Sequence, residues 1–392
     1  MLWKTEKIYL ESAYTNEFDA HICSCSAYGA DGGLFAVILD RTAFFPESGG
    51  QYGDSGYIGN VRVMDTVLDC GNILHITETP IDVGTPVKCY IDFEQRFVRM
   101  QNHTGEHIVS GIIHKHFGYD NVGFHLGDDI VTLDTNGLLS DEDIARIEEY
   151  SNIAVWSNAT VTTSFLSSDA DTVAPFRGHL ERVSPDEPLR IVDIAGIDRC
   201  ACCAPHVAAT GEVGMIKVID RMRYKGGMRL SIVCGGLALD DYAKRQARER
   251  IISGKLSLPA EKSVDGIDRL ISENAALKSK ISKLYADIRD GLFESISDGE
   301  RCVCFFAELD TVNARQLVNM ALQKCEICAV FNGTDASGYS FIIGSASVDM
   351  RSLANGLLEQ FSGKGGGSPK MIQGTVCAKA DELSEYLRSF AK

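Results

Sequence analysis

The chain has 392 residues, 45% of them hydrophobic, and a formal net charge of −16. That length allows several buried cores, and that charge excludes a protein that coats nucleic acid nonspecifically, because phosphate neutralisation needs an excess of lysine and arginine. Thirteen cysteines without framework spacing indicate a reducing compartment, and a mixed polar N-terminus with no apolar run near ~20 residues speaks against a signal peptide or membrane span. A soluble cytoplasmic protein with no membrane partner is expected.

Short apolar runs, Leu34 to Leu39, Tyr57 to Leu68 and Val87 to Ile91, are separated by Gly, Pro, Asn and Asp. Close turn signals of this kind predict a small β-barrel. Between them lies Glu47-Ser48-Gly49-Gly50-Gln51-Tyr52-Gly53-Asp54, either a tight interstrand loop or one that faces a ligand. A helix is then predicted from Glu94 to Phe117, stopped by Gly118. It carries His103-Thr104-Gly105-Glu106-His107, and a four-residue step of about 100° per residue puts both histidines within ~40° on one face. Gly105 and Gly111 each cost ~1 kcal/mol against alanine in a helix interior, so something should approach closely there. Glu106 reads as a helix-surface carboxylate or as a proton acceptor beside a metal. His114 and His116 read as surface residues near the C-terminal end.

Val122 to Gly127 leads into a strand near Ile130 to Asp134, and Ser140-Asp141-Glu142-Asp143 caps a helix through Ile153. A strand at Leu189 to Ile194 should deliver Arg199-Cys200-Ala201-Cys202-Cys203-Ala204-Pro205-His206 on a loop. Cys202 and His206 repeat the four-residue interval of the histidine pair. Imidazole and thiolate together suit Zn2+. The metalloprotease motif is excluded, since it needs Glu directly after the first His and Thr104 stands there. Strands at Met215 to Ile219 and Arg229 to Val233 flank a basic stretch, with nine basic residues against four acidic between Lys217 and Arg250.

From Leu239 to about Leu292 leucines and isoleucines recur in a charged sequence interrupted by Pro259, which predicts a helical or coiled-coil connector. The last ~90 residues alternate strands (Val303 to Phe306, Ile327 to Phe331, Ser340 to Gly344) with helices (Val312 to Lys324, Asp349 to Phe361, Ala380 to Phe390), a separate α/β unit. Gly363-Lys364-Gly365-Gly366-Gly367-Ser368-Pro369-Lys370 reads as a phosphate-binding nest or as a flexible loop.

Taken together, the two metal pairs, the Glu47 to Gln51 loop and the Gly363 to Pro369 stretch resemble the editing module of alanyl-tRNA synthetase, in the order of the freestanding long-form AlaX editing proteins. The likeness covers nearly the whole chain. It implies an α+β multidomain protein: an N-terminal small β-barrel (1–93), an α+β zinc-bearing editing core (94–237), a helical or coiled-coil connector (238–298) and a C-terminal α/β domain of the DHH-associated kind (299–392). It further implies hydrolysis in trans of mischarged Ser-tRNA, and of Gly-tRNA, on alanine tRNA. His103, His107, Cys202 and His206 would ligate zinc, with Glu106 and His125 beside the reaction. Where the family has Cys-Gly-Gly-Thr-His, this chain has Cys203, Ala204 and Pro205 between the ligands. Arg221, Arg223, Lys225, Arg229, Lys364, Gly365, Gly366, Gly367 and Lys370 would hold the tRNA. Homodimerisation through the connector or the C-terminal domain is a further expectation. The rival reading is a zinc-stabilised RNA-binding protein without catalysis, which a full set of four ligands would suit; a third is another metal-dependent esterase or phosphoesterase.

Overall fold

The computed structural model describes residues 3–29, 33–127, 129–166, 176–177 and 189–390. Two compact units divide the chain, Met1–Glu249 and Arg250–Lys392. Among the described residues no helix is long and apolar enough to cross a membrane. The protein is mixed α+β with several sheets.

In the first unit the strands are β1 (Glu6–Lys7), β2 (Glu17–Tyr28), β3 (Leu34–Leu39), β4 (Arg41–Thr42), β5 (Gly56–Ile58), β6 (Val61–Asp69), β7 (Asn72–Thr77) and β8 (Pro86–Ile91). Pairing runs β2-β3-β7-β6-β5-β8 and returns from β8 to β2. Phe18, Ile22, Val37, Leu39, Phe44, Ile58, Val63 and Ile91 fill the enclosed space, and register shifts after Ile22 and Val63 supply local bends. The run from Tyr57 to Leu68 is two strands, split by a turn at Gly59 with φ 58°.

Next comes α1 (Phe93–Phe117), ended by Gly118 in the left-handed region with φ 70°. It is followed by β9 (Asn121–Leu126), β10 (Val131–Thr135), α2 (Asp141–Trp156), β11 (Val161–Leu166), β12 (Leu189–Ile194), β13 (Asp198–Ala201), β14 (Ile216–Tyr224), β15 (Gly227–Cys234) and α3 (Gly235–Leu256). Sheet β14-β15-β10-β9 packs with α1 and α2 around Ile108, Val109, Ile113, Leu133, Ile147, Leu230 and Ile232. Ser140 and Asp143 form the capping box of α2. A separate sheet, β11-β12-β13, leads into the cysteine loop. The two α1 glycines mark close approaches: a Cβ at Gly105 would sit 2.3 Å from Cys234 Sγ, and one at Gly111 2.8 Å from Asp198 Cβ. Any larger residue there would force α1 away from its neighbours.

In the second unit α4 (Ser263–Glu294) precedes β16 (Glu300–Phe306), α5 (Thr311–Ala321), β17 (Cys325–Thr334), β18 (Gly338–Ser345), α6 (Met350–Gln360), β19 (Gly363–Ser368), β20 (Met371–Val376) and α7 (Ala380–Phe390). The sheet order is β16-β17-β18-β20-β19; β16 and β17 are parallel and the other pairs antiparallel. The glycine stretch expected to be a nest or a flexible loop is instead the edge strand β19, paired residue by residue with β20 from Gly363↔Val376 to Ser368↔Met371. A nest needs successive amides turned to one side, whereas a strand turns alternate amides into its ladder. Tertiary pairing here overrides the low strand propensity of glycine.

Candidate metal centre

His103, His107, Cys202 and His206 converge, with all four ligand atoms within 4.8 Å of one another. His103 and His107 come from adjacent turns of the buried α1, and Cys202 and His206 from the loop that leaves β13. Each histidine is fixed through its Nδ1. His103 Nδ1–H donates to Gln51 Oε1 at 2.7 Å and His107 Nδ1–H to Asp198 Oδ2 at 3.1 Å, and His206 Nδ1 is hydrogen-bonded with Thr104 Oγ1 at 3.0 Å. That leaves three Nε2 atoms for the shared space. Fixing one ring nitrogen so that the other presents its lone pair is how metal-ligating histidines are usually oriented. Cys202 Sγ lies 3.5 Å from His103 Nε2 and 3.3 Å from His206 Nε2. Zinc bonds of roughly 2.1 Å to nitrogen and 2.3 Å to sulfur at a tetrahedral angle would place such ligands roughly 3.6 Å apart, so the donor set fits a metal of that size.

The electrostatics prepare Cys202 and His206 for a metal. Burial works against the Cys202 thiolate, but the neighbouring His103 and His206 outweigh it and hold the thiol well below its ordinary range. Burial lowers His206 to about 3, which keeps it neutral. Burial also disfavours charge on His107, yet its bond to Asp198 raises it. Asp198 is itself held low despite burial, because Arg177 donates to both its oxygens at 2.6 and 2.8 Å. A deprotonated thiolate and a neutral imidazole are the states in which these groups bind a metal; Cys202 and His206 are in that state, whereas His107 must give up the proton that Asp198 favours.

Other expected residues are placed differently. Glu106 is no surface carboxylate: it is 4% exposed, because α1 is enclosed nearly all round. It accepts hydrogen bonds from Ser110 and, at 2.6 Å, from Asn121, both on Oε1, with Oε2 4.0 Å from His107 Nε2. His125 is outside the ligand group. It is exposed, edge-on to Tyr52 at 5.9 Å, whereas its neighbour Phe124 stands 4.9 Å from His103; strand alternation turns consecutive side chains to opposite faces. Cys203 turns to Ser48 at 3.6 Å, and Cys200 groups with His107 and Asp198.

Gln51, Thr104, Asp198 and Arg177 complete the site without having been expected in it. The glycine-rich loop was the signal for Gln51, since a polar side chain among glycines lies where backbone can approach another element. No spacing pointed to Asp198 or Arg177. The loop is anchored by Asp54, which forms a buried ion pair with Arg96 of α1, Nε to Oδ1 2.9 Å.

Of the hairpin cations, Arg229 is bidentate to Asp134 at 2.6 and 2.8 Å and stacks 3.9 Å over Tyr224. Arg221 pairs with Asp141, while Arg223 and Lys225 are exposed at the tip. Lys364 and Lys370 are exposed at the two ends of β19.

Residues 12–95 match the class II (A) tRNA synthetases, and residues 189–230, which include Cys202 and His206, match the second additional domain of threonyl and alanyl tRNA synthetases. The alanyl-tRNA editing protein AlaX-L of Pyrococcus horikoshii is 29% identical over 96% of both chains. Nearly the whole of this chain is thus similar to alanyl-tRNA editing proteins. The alanyl-tRNA editing protein Aarsd1 of Mus musculus is 26% identical, again over 96% of each chain. An alanine–tRNA ligase of Pyrococcus furiosus is 31% identical over 72% of this chain and 32% of its own length. The two editing proteins thus match this chain over nearly its full length and theirs, whereas the ligase matches over one part of its own.

Proposed function

We propose that this protein is a trans-editing aminoacyl-tRNA deacylase that hydrolyses mischarged Ser-tRNA, and also Gly-tRNA, of alanine tRNA at a zinc site made by His103, His107, Cys202 and His206. The observation that carries the reading is the convergence of those four ligands in a chain related along its length to alanyl-tRNA editing proteins. Zinc held there would supply Lewis acidity towards the ester and make a nearby water more acidic.

The chain's own residues supply selection. Alanine is smaller than serine, so a pocket large enough for serine also admits alanine, and a correcting site must reward the hydroxyl. Gln51 is suited to this: its Oε1 is engaged by His103, and its Nε2 is buried with no hydrogen-bond partner among the described residues. A buried unpaired donor costs ~1–3 kcal/mol, which a serine hydroxyl would recover and an alanine methyl would not. Phe124 bounds the space on the His103 side. Glu106, whose Oε2 is 4.0 Å from His107 Nε2, would hold a proton as the ester is cleaved. Arg223 and Lys225 at the hairpin tip and Lys364 and Lys370 on the β19 edge would meet tRNA phosphates, with Arg221 and Arg229 as supports already paired to acids. The four-part division at residues 93, 237 and 298 is the organisation this reading implies.

Purified protein, with its zinc content measured, is assayed on Ser-, Gly- and Ala-charged alanine tRNA. Release of serine but not alanine is expected, and Cys202→Ala and His206→Ala should each lose the metal and lower serine release by at least about 100-fold, as loss of a metal's charge stabilisation implies. Unchanged deacylation by a zinc-free variant would sink the reading. Because four protein ligands can fill a tetrahedron, the second reading is a structural zinc in an RNA-binding protein. Tight tRNA binding with no ester release from any charged form would select it.

A further inference from the structure

Each of the three histidines at the centre has a second ring nitrogen by which it is held. Cys202 has no such handle. Its Sγ meets the Nε2 atoms of His103 and His206, so the thiolate can be aimed only through the backbone that carries it. The residues that follow give that backbone little support. Ala204 and Pro205 have no side-chain donor or acceptor, Pro205 has no N–H, and Cys203 turns to Ser48 at 3.6 Å.

One residue of β12 supplies the support from outside the loop. The carbonyl of Arg190 accepts the Cys202 N–H at 3.1 Å, which continues the β12-β13 ladder beyond Ile191↔Ala201. Its side chain reaches the same loop: Nη1 carries two hydrogens and donates to Cys202 O at 2.9 Å and to Ala204 O at 2.8 Å. Both backbone polar groups of Cys202 are thus tied to Arg190. This arginine is 7% exposed, and its Nε is buried without a partner among the described residues. A buried cation is costly unless an anion faces it. Burial works against the guanidinium charge, and the groups that oppose this are the Cys202 thiolate first, then Cys203 and Tyr9. No carboxylate is among them.

We propose that Arg190 is a positioning residue of the metal centre: by holding the N–H and C=O of Cys202 and the C=O of Ala204, it fixes the bend that turns the Cys202 thiolate and His206 towards one ion. A guanidinium has no lone pair to give a cation, so Arg190 acts through the loop alone. This role rests on the metal reading of the four side chains and not on the reaction that the metal serves.

The test is metal binding by the full chain. Zinc affinity is read by competition with a chelator, and sulfur–metal contact by the thiolate-to-metal absorption of the cobalt(II) form. Arg190→Met keeps the bulk of the side chain without its donors. It should lower zinc affinity about 10- to 100-fold, the range for loss of a group that orients a ligand, and weaken the cobalt band at saturating metal while the circular dichroism spectrum is kept. Arg190→Lys keeps a cation but loses the planar fork, and it should bind zinc about tenfold more weakly than the wild type; it decides the question if Arg190→Met does not fold. A lower melting temperature with wild-type zinc affinity and an unchanged cobalt band would make Arg190 an ordinary buried support and overturn the role alone. A wild-type chain that takes up neither ion would overturn the metal reading and this role with it.

Discussion

The two longest helices of this protein reverse the usual rule about which residues are buried. α1 encloses Arg96, Asn102, His103, Thr104, Glu106 and His107, all under 5% exposed, whereas α4 leaves a row of isoleucines and leucines in solvent. Burying ionisable groups is costly unless each finds a partner, and α1 provides them: Arg96 meets Asp54, His107 meets Asp198, Glu106 meets Asn121 and Ser110. Arg96 thereby anchors the glycine-rich loop, while the other partners stand around the four converging side chains of the candidate site. Exposed apolar residues at a regular interval carry the opposite message. They have no apolar cover among the described residues.

The contrast can be broken by removing partners, beginning with the deepest. Arg96→Met leaves Asp54 buried and unpaired, and a loss of 3–5 kcal/mol is expected on the scale of broken buried pairs, about; chemical denaturation measures it, and a loss below about 1 kcal/mol would mean water reaches the carboxylate. Asp198→Asn keeps the shape but removes the charge that orients His107 and engages Arg177. Metal affinity should fall about 10- to 100-fold, by competition with a chelator of known strength, while the fold persists. On α4, Arg269→Ala removes the 3.8 Å pair with Glu273 and should change stability by less than about 0.5 kcal/mol. An effect as large as that at Arg96 would show that α4 is less exposed in solution than α1's opposite.

Much of this was legible from intervals in the chain. Two four-residue intervals place His103 with His107 and Cys202 with His206, and Gly118 ends α1 where the sequence stops being periodic. Other features were misread for definite reasons. The surface reading of Glu106 assumes that a charged helix residue faces water, which fails along 102–113, where every residue of α1 is buried. His125 was one residue from the face that matters, and a period of two sends it away from His103 while Phe124 points in. The Gly363 to Ser368 stretch has no side chains to announce a strand, and only its pairing with β20 makes it one.

The sequence by itself determined which atoms are available and how often they recur, because helix and strand periods are local: the four soft and borderline ligands, the heptads of α4, the alternating runs of the N-terminal strands. Tertiary structure alone decided what stands behind the ligands. Gln51 precedes His103 by 52 residues and Asp198 follows His107 by 91, and the hydrogen bonds that turn each imidazole towards a common point are made between elements that meet only when the chain is folded, where Gly111 lets α1 come within reach of Asp198.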